Sequence, residues 1–199
     1  MGRTPSVTGL RACGPGRVEV HLDGAPWRRV PLDAAVAARL SVGVALDRER
    51  ARELNRALRR ARALTKATRL LRAGMHTSVT LDRRLDAGGV GETERRATIG
   101  TLRRAGLLDD ARTARARADW LVDRGAGDAM IAADLAERGL DAAAVEATLA
   151  ELRPERERAT AIVARRGATP ATLRRLAARG FAEETLEPFV AAVSGEGVG

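Results

Sequence analysis

The first thirty residues alternate. Val18, Val20 and Leu22 are separated by Arg17, Glu19 and His21, the two-residue period of a strand with one buried face. Apolar segments on either side complete three short strands, Val7 to Cys13, Arg17 to Leu22 and Trp27 to Val30. Gly14-Pro-Gly16 and Asp23-Gly24 divide them with strong turn signals. Three short strands bury little area, so this β-rich segment must lean on helices from the rest of the chain. After Pro31 the period lengthens and the remaining sequence reads as helix. Asp47 is placed to cap a long helix with apolar positions at Leu54, Leu58, Ala61, Leu64, Thr68 and Leu71, close to the 3.6 spacing.

Beyond that helix the pattern repeats. Aligned on Gly89, Gly139 and Gly180, the segment Leu85-Asp-Ala-Gly-Gly-Val90 falls over Leu135-Ala-Glu-Arg-Gly-Leu140 and Leu176-Ala-Ala-Arg-Gly-Phe181. Each glycine stands where a helix ends in a left-handed residue, and the apolar residue after it closes the cap. Further along, Ile99 and Leu102 match Leu149 and Leu152, and then Val190 and Val193. Such spacing belongs to helical repeats, in which each unit buries its face against a neighbour. Helix starts subdivide the units: Thr77 in the first; Asp109, the Gly125-Ala-Gly127 break and Asp141 in the second; Thr169 followed by Pro170 in the third. The expected fold is mostly α. A β-rich segment, 1–46, precedes three tandem three-helix repeats at 47–106, 107–153 and 154–199.

Charge divides the chain differently. The net charge is +9, and all but one of the 35 basic residues are arginine, the exception being Lys66. Between Arg48 and Arg72 ten basic residues meet two acidic ones, whereas between Leu107 and Leu152 five basic residues meet ten acidic ones. An acidic middle argues against wrapping DNA along the whole length, since phosphates are repelled there. On the long helix Arg52, Arg56, Arg59, Arg60, Arg62, Lys66 and Arg69 form a stripe with no acidic neighbour after Glu53. Like charges at these spacings weaken a helix unless a partner neutralises them, so the stripe is the first candidate for a partner or DNA contact. Arg165, Arg166, Arg174, Arg175 and Arg179 in the third repeat form a second candidate group.

Other chemistry is sparse. Trp27, Trp120, Phe181 and Phe189 are the full aromatic set, too few for a base-stacking sheet or barrel of the usual single-strand binders. Cys13 stands alone, there is no membrane-length apolar run, and no secretion signal opens the chain, so a cytoplasmic protein is expected. Met1-Gly2 with Ser6 matches a myristoylation pattern, read as a chance match. His21 and His76 lack metal-binding company, and Gly88-Gly-Val-Gly91 lacks the Lys-Ser/Thr of a phosphate loop. Asp109-Asp110 reads as a helix start rather than a metal site. No catalytic residue, metal site or cofactor is expected.

Two runs carry a family resemblance. Gly106-Leu-Leu-Asp-Asp-Ala-Arg-Thr-Ala114, followed by Ile131-Ala-Ala-Asp-Leu-Ala-Glu-Arg-Gly-Leu140, resembles the central signature of the RecX regulatory proteins. Thr77-Ser-Val-Thr-Leu81 with Leu85 is similar to the start of that family's first repeat, and the likeness runs over about residues 7 to 193. Leu107 and Thr113 stand where the family usually has aromatics, and Thr80 where it has glutamate. Arg95 takes the position of Val145 and Leu186 in the other two repeats.

The resemblance implies a non-enzymatic modulator of the RecA recombinase: three three-helix repeats in an elongated, curved stack that lies in the groove of the RecA–DNA filament. Its expected effect is to limit RecA ATPase, strand exchange and coprotease activity in recombination, repair and the SOS response. It carries no contact residues over; those come from the charge pattern. Arginine suits the task because its planar fork pairs with carboxylate or phosphate at two points. The partners expected are the RecA filament and its single-stranded DNA, with no membrane and a monomeric state. A free-standing DNA-binding protein built of tri-helical units and a helical-repeat adaptor without nucleic-acid contact are the alternatives.

Overall fold

The computed structural model describes residues 3–195, so Met1 and Gly2 of the myristoylation pattern lie outside the described residues. Three strands, β1 (Val7–Ala12), β2 (Arg17–Leu22) and β3 (Ala25–Pro31), form an antiparallel sheet in sequence order. The two-residue Asp23-Gly24 turn joins β2 to β3, with φ of 47° and 90° as a type I′ hairpin requires. Val18 pairs with Val30, and both are buried with Val7 and Val20.

Helix does not continue unbroken after Pro31. A short α1 (Leu32–Ala37) ends at Ala38, and Arg39 takes a left-handed φ of 50°. The chain then runs back beside β1, where Val7 donates to Val44 O at 2.8 Å and Gly43 donates to Val7 O at 2.8 Å. This irregular stretch covers an edge that would otherwise be left unpaired. Its strand-covering role has no helical or alternating pattern to reveal it.

Asp47 caps α2 (Arg48–Ala73), its carboxylate accepting from Arg50 N at 2.8 Å. Leu54 and Leu58 close the core under the sheet with Ala34, Ala35 and Ala38 of α1 and its C-cap. Further along, the expected stripe through Ala61, Leu64, Thr68 and Leu71 is not the buried one: Ala63 and Ala67 are buried, and Leu64 is exposed. The buried track moves round the helix because its second half lies along different neighbours. Arg59 reaches Glu94, and Lys66 reaches Gly88.

The remaining helices are α3 (Ser78–Asp86), α4 (Glu92–Arg104), α5 (Asp110–Asp123), α6 (Asp128–Glu137), α7 (Ala142–Ala150), α8 (Glu155–Arg166), α9 (Pro170–Ala178) and α10 (Glu183–Gly195). Asp109, Asp141 and Thr169 cap α5, α7 and α9 with side-chain hydrogen bonds, Gly127 caps α6 by its backbone, and Thr77 accepts from Thr80 N. Thr80 in turn accepts from Thr77 N at 2.8 Å. It thus makes the return bond of a capping box, the one a glutamate makes at that position.

The chain divides into two compact units: residues up to 74 with 82–102, and residues 75–81 with those from 103 on. Within the second unit the repeats meet by one device used twice. The N-terminus of a middle helix abuts the C-terminus of the next repeat's middle helix. Thr77 Oγ1 donates to Arg138 O at 2.6 Å, and Gly127 N donates to Arg179 O at 2.8 Å. An acidic residue opening the next repeat pins each junction. Asp110 accepts from Ser78 N at 2.7 Å, and Glu155 accepts from Asp128 N at 2.6 Å. Asp110 therefore serves the neighbouring helix as well as opening its own.

Two of the repeat glycines, Gly139 and Gly180, have a second reason to be glycine beyond their φ near 80°. A Cβ on Gly139 would lie 2.5 Å from Val79, and one on Gly180 would lie 2.6 Å from Met130 N. At Gly127 it would lie 2.3 Å from the Gly180 backbone, whereas at Gly89 nothing stands within 4 Å.

Candidate functional site

Two groups of arginines converge, one in each unit. In the first unit a cleft of about 460 Å³ opens between β3 and α2. Arg62, Lys66 and Arg69, spaced to share one helix face, line one wall, and Arg17, Arg28 and Arg29 line the other over a floor that includes Leu58 and Ala61. Among the described residues only Glu19 offers a carboxylate to this set. Arg29 donates to it at 2.9 Å, and that hydrogen bond holds the Glu19 carboxyl below its ordinary range. Lys66 Nζ donates to Gly88 O at 2.7 Å.

The seven-residue stripe expected on α2 therefore splits. Arg62, Lys66 and Arg69 enter the cleft; Arg52, Arg56, Arg59 and Arg60 do not. Arg56 pairs with Glu53 at 3.4 Å, and Arg59 pairs with Glu94 of α4 at 2.8 Å. Hydrogen bonding to Arg59 keeps the Glu94 carboxyl below the usual carboxylate range. The expectation of no acidic neighbour after Glu53 fails here, because Glu94 comes from thirty-five residues away and only the fold brings it. Arg60 lines a separate cavity with Ala61, Leu64 and Thr98, and Arg52 is exposed.

Sequence reasoning missed Arg17, Arg28 and Arg29. The tandem Arg28-Arg29 on a short strand was the available signal. Arg28 lies opposite Val20, on the face of the sheet that carries the core valines. Which helix would lie beside that strand is a tertiary fact.

In the second unit Arg165 and Arg166, at the end of α8, meet Arg175 of α9 and Arg179 at its C-cap around a cavity of about 190 Å³. Arg124, which follows α5, joins them; nothing local in the sequence marked it. Asp123 is the only acidic residue in that lining. Arg174, though adjacent to Arg175, lies in another groove beside Glu183, Glu184 and Glu187. Arg179 donates to Arg124 O at 2.6 Å, so one of its groups closes the end of α5. Arg124 also stacks on Trp120, 4.0 Å from the ring centre, and Arg117 stacks on the same ring at 4.3 Å. Asp134 anchors Arg117 and Arg138 together, and these bonds bring its carboxyl down to about 2.

Both clusters are suited to anions bearing two or more oxygens, phosphate or carboxylate, through forked guanidinium pairing. The larger cleft has more room and gathers six basic side chains. Among the described residues no group of three or more His, Cys, Asp or Glu side chains is placed to hold a metal ion, and no helix is long and apolar enough to cross a membrane.

No family model matches the sequence, and no curated protein matches it. Solved structures do. One described as a crystal structure of regulatory protein RecX matches with a TM-score of 0.78 at 20% identity, over 94% of this chain and 99% of the other. A crystal structure of RecX from Lactobacillus salivarius matches with a TM-score of 0.58 at 15% identity, over 68% of this chain and 97% of the other. The chain has the fold of these RecX structures.

Proposed function

We propose that this protein is a RecX-family regulator, without enzymatic activity or cofactor, that binds the RecA–DNA filament and restrains RecA ATPase, strand exchange and coprotease activity. It acts in the cytoplasm as a monomer, and its repeats divide at residues 47, 107 and 154. The observation that carries this reading is the fold likeness over 94% of the chain, joined to the Gly106–Ala114 and Ile131–Leu140 signatures. The β3/α2 cleft supplies the contact, meeting acidic filament surface or exposed phosphate. The α8/α9 arginines supply a second one. Reversing Arg56 or Arg59 is a poor probe, since both are internally paired; Arg28, Arg62 and Arg69 are better.

A free-standing DNA-binding protein is the second reading, favoured by six basic side chains lining a single cleft. Labelled protein titrated against RecA–single-stranded DNA filaments, naked single-stranded DNA and RecA alone separates the two. The filament reading expects binding to filaments at salt concentrations where naked DNA no longer binds. Equal affinity for filament and naked DNA, with a steep salt dependence in both, supports the second reading instead.

A further inference from the structure

The three repeats place different residues at the equivalent position between their second and third helices, and the third leaves a groove there. In the first, Arg95 bridges the two helices, donating to Asp82 at 2.9 Å and Asp86 at 2.5 Å on α3. In the second, alanines take the two acidic positions, Ala132 and Ala136, and Val145 replaces the arginine. In the third, Leu186 replaces it, and a groove of about 690 Å³ opens over Leu173, Ala177 and Phe181 with Val190 exposed at its edge.

The groove's rim is charged in an unbalanced way. Glu92 and Arg96 form an ion pair at 2.5 Å on the first repeat's third helix. The equivalent residues in the third repeat are Glu183 and Glu187, two like charges one turn apart, with Glu184 beside them. Among the described residues none of the three makes an ion pair. The helix N-terminus favours Glu183 and Glu184 but lies too far from Glu187 to offset it. The cation that completes this pattern on the first repeat's third helix is replaced by Glu187 on α10. Arg174 of α9 lines the same groove without forming an ion pair with any of the three glutamates, so the rim keeps an excess of negative charge.

We infer that the α9/α10 groove is a docking site for an amphipathic helical segment of another protein, with apolar side chains on one side and arginine or lysine beside them. The apolar side chains enter over Ala177 and Val190. The cation takes the place that Arg96 holds in the first repeat, between Glu183 and Glu187. The site uses Leu173, Arg174 and Ala177 of α9, residues other than those that line the α8/α9 arginine cavity, and does not depend on the function proposed above.

The test uses the full chain and a synthetic helical peptide with leucines on one face and arginines on the other, labelled for fluorescence anisotropy. A second peptide keeps the leucines and replaces arginine by glutamate. The arginine peptide should bind with Kd on the order of 10⁻⁵ M or tighter, and the glutamate peptide should not bind. Glu187→Arg restores the pairing seen in the first repeat, so it should raise Tm slightly and weaken the peptide at least about tenfold. Val190→Asp, at an exposed position, should weaken it without lowering Tm. No binding of the arginine peptide, or equal binding to Glu187→Arg, overturns the site. A wild-type dimer in sedimentation velocity that Glu187→Arg dissolves overturns the partner, making the occupant a second copy.

Discussion

The two compact units differ in how deeply their charges are built into the fold. In the unit that contains the second and third repeats, charged side chains hold the structure together. Glu155 accepts from Asp128 N, Ala182 N and Thr185 Oγ1, and Arg158 bonds Ala126 O and pairs with Asp128. Both Glu155 and Arg158 are buried. In the first unit the sheet and α2 close on an apolar core, and most arginines of α2 stay at the surface. Several carboxylates of the second unit are thus already bonded within the fold. On α2, by contrast, Arg56, Arg59 and Lys66 have internal partners, whereas Arg62 and Arg69 form no ion pair among the described residues. Net charge per segment shows neither use, because it counts ions without saying which are already bonded.

That contrast is open to direct attack. The largest effect should come from Gly127→Ala, whose Cβ meets backbone of the next repeat at 2.3 Å. Overpacking against backbone should cost about 3 kcal/mol or more in urea unfolding. Gly89→Ala, in the first unit, meets nothing and should cost only about 1 kcal/mol for its left-handed φ of 74°. Equal losses would show that the glycines serve as caps alone.

Glu155→Ala should follow at about 2–3 kcal/mol, since it leaves Asp128 N and Ala182 N without their acceptor inside the fold. Hydrogen exchange should rise at the starts of α6 and α10 together, both of which this one carboxylate holds.

Asp134→Asn should cost between about 1 and 2 kcal/mol at pH 7, because the folded carboxyl titrates at about 2 against an ordinary 3.8. A depressed carboxyl stabilises the fold above its unfolded value. The gap between wild type and variant should therefore be full above pH 4 and close as pH falls toward 2. A gap constant over that range would remove the Arg117–Asp134–Arg138 cluster from the account.

The smallest effect should be Glu94→Gln in the first unit. Its partner Arg59 is exposed, and such pairs contribute about 0.5 kcal/mol or less.

The legible parts of the fold share one property: their signal is local. The Asp23-Gly24 hairpin, the Asp47, Asp109 and Asp141 caps and the left-handed glycines are each written within a few residues. What escaped is what only the third dimension brings together. Glu94 against Arg59, Arg28 against Arg62, and Arg124 among the α8/α9 arginines join residues far apart in the chain. Periodicity also misjudged the second half of α2, where Ala63 and Ala67 are buried although Leu64 is the larger apolar side chain. Arg95 is the converse case. It breaks the apolar pattern of its repeat, and the fold answers with Asp82 and Asp86.

The central claim is that the first unit's cleft acts on RecA. ATP hydrolysis by RecA on single-stranded DNA, with protein added well below the RecA concentration, tests it most directly. Wild type should slow hydrolysis in proportion to dose. Arg28→Glu, Arg62→Glu and Arg69→Glu combined, folded and within about 0.5 kcal/mol of wild-type stability, should lose most of that effect. Undiminished inhibition by the variant would contradict the assignment of the cleft, and no inhibition by folded wild type would contradict the regulatory reading itself.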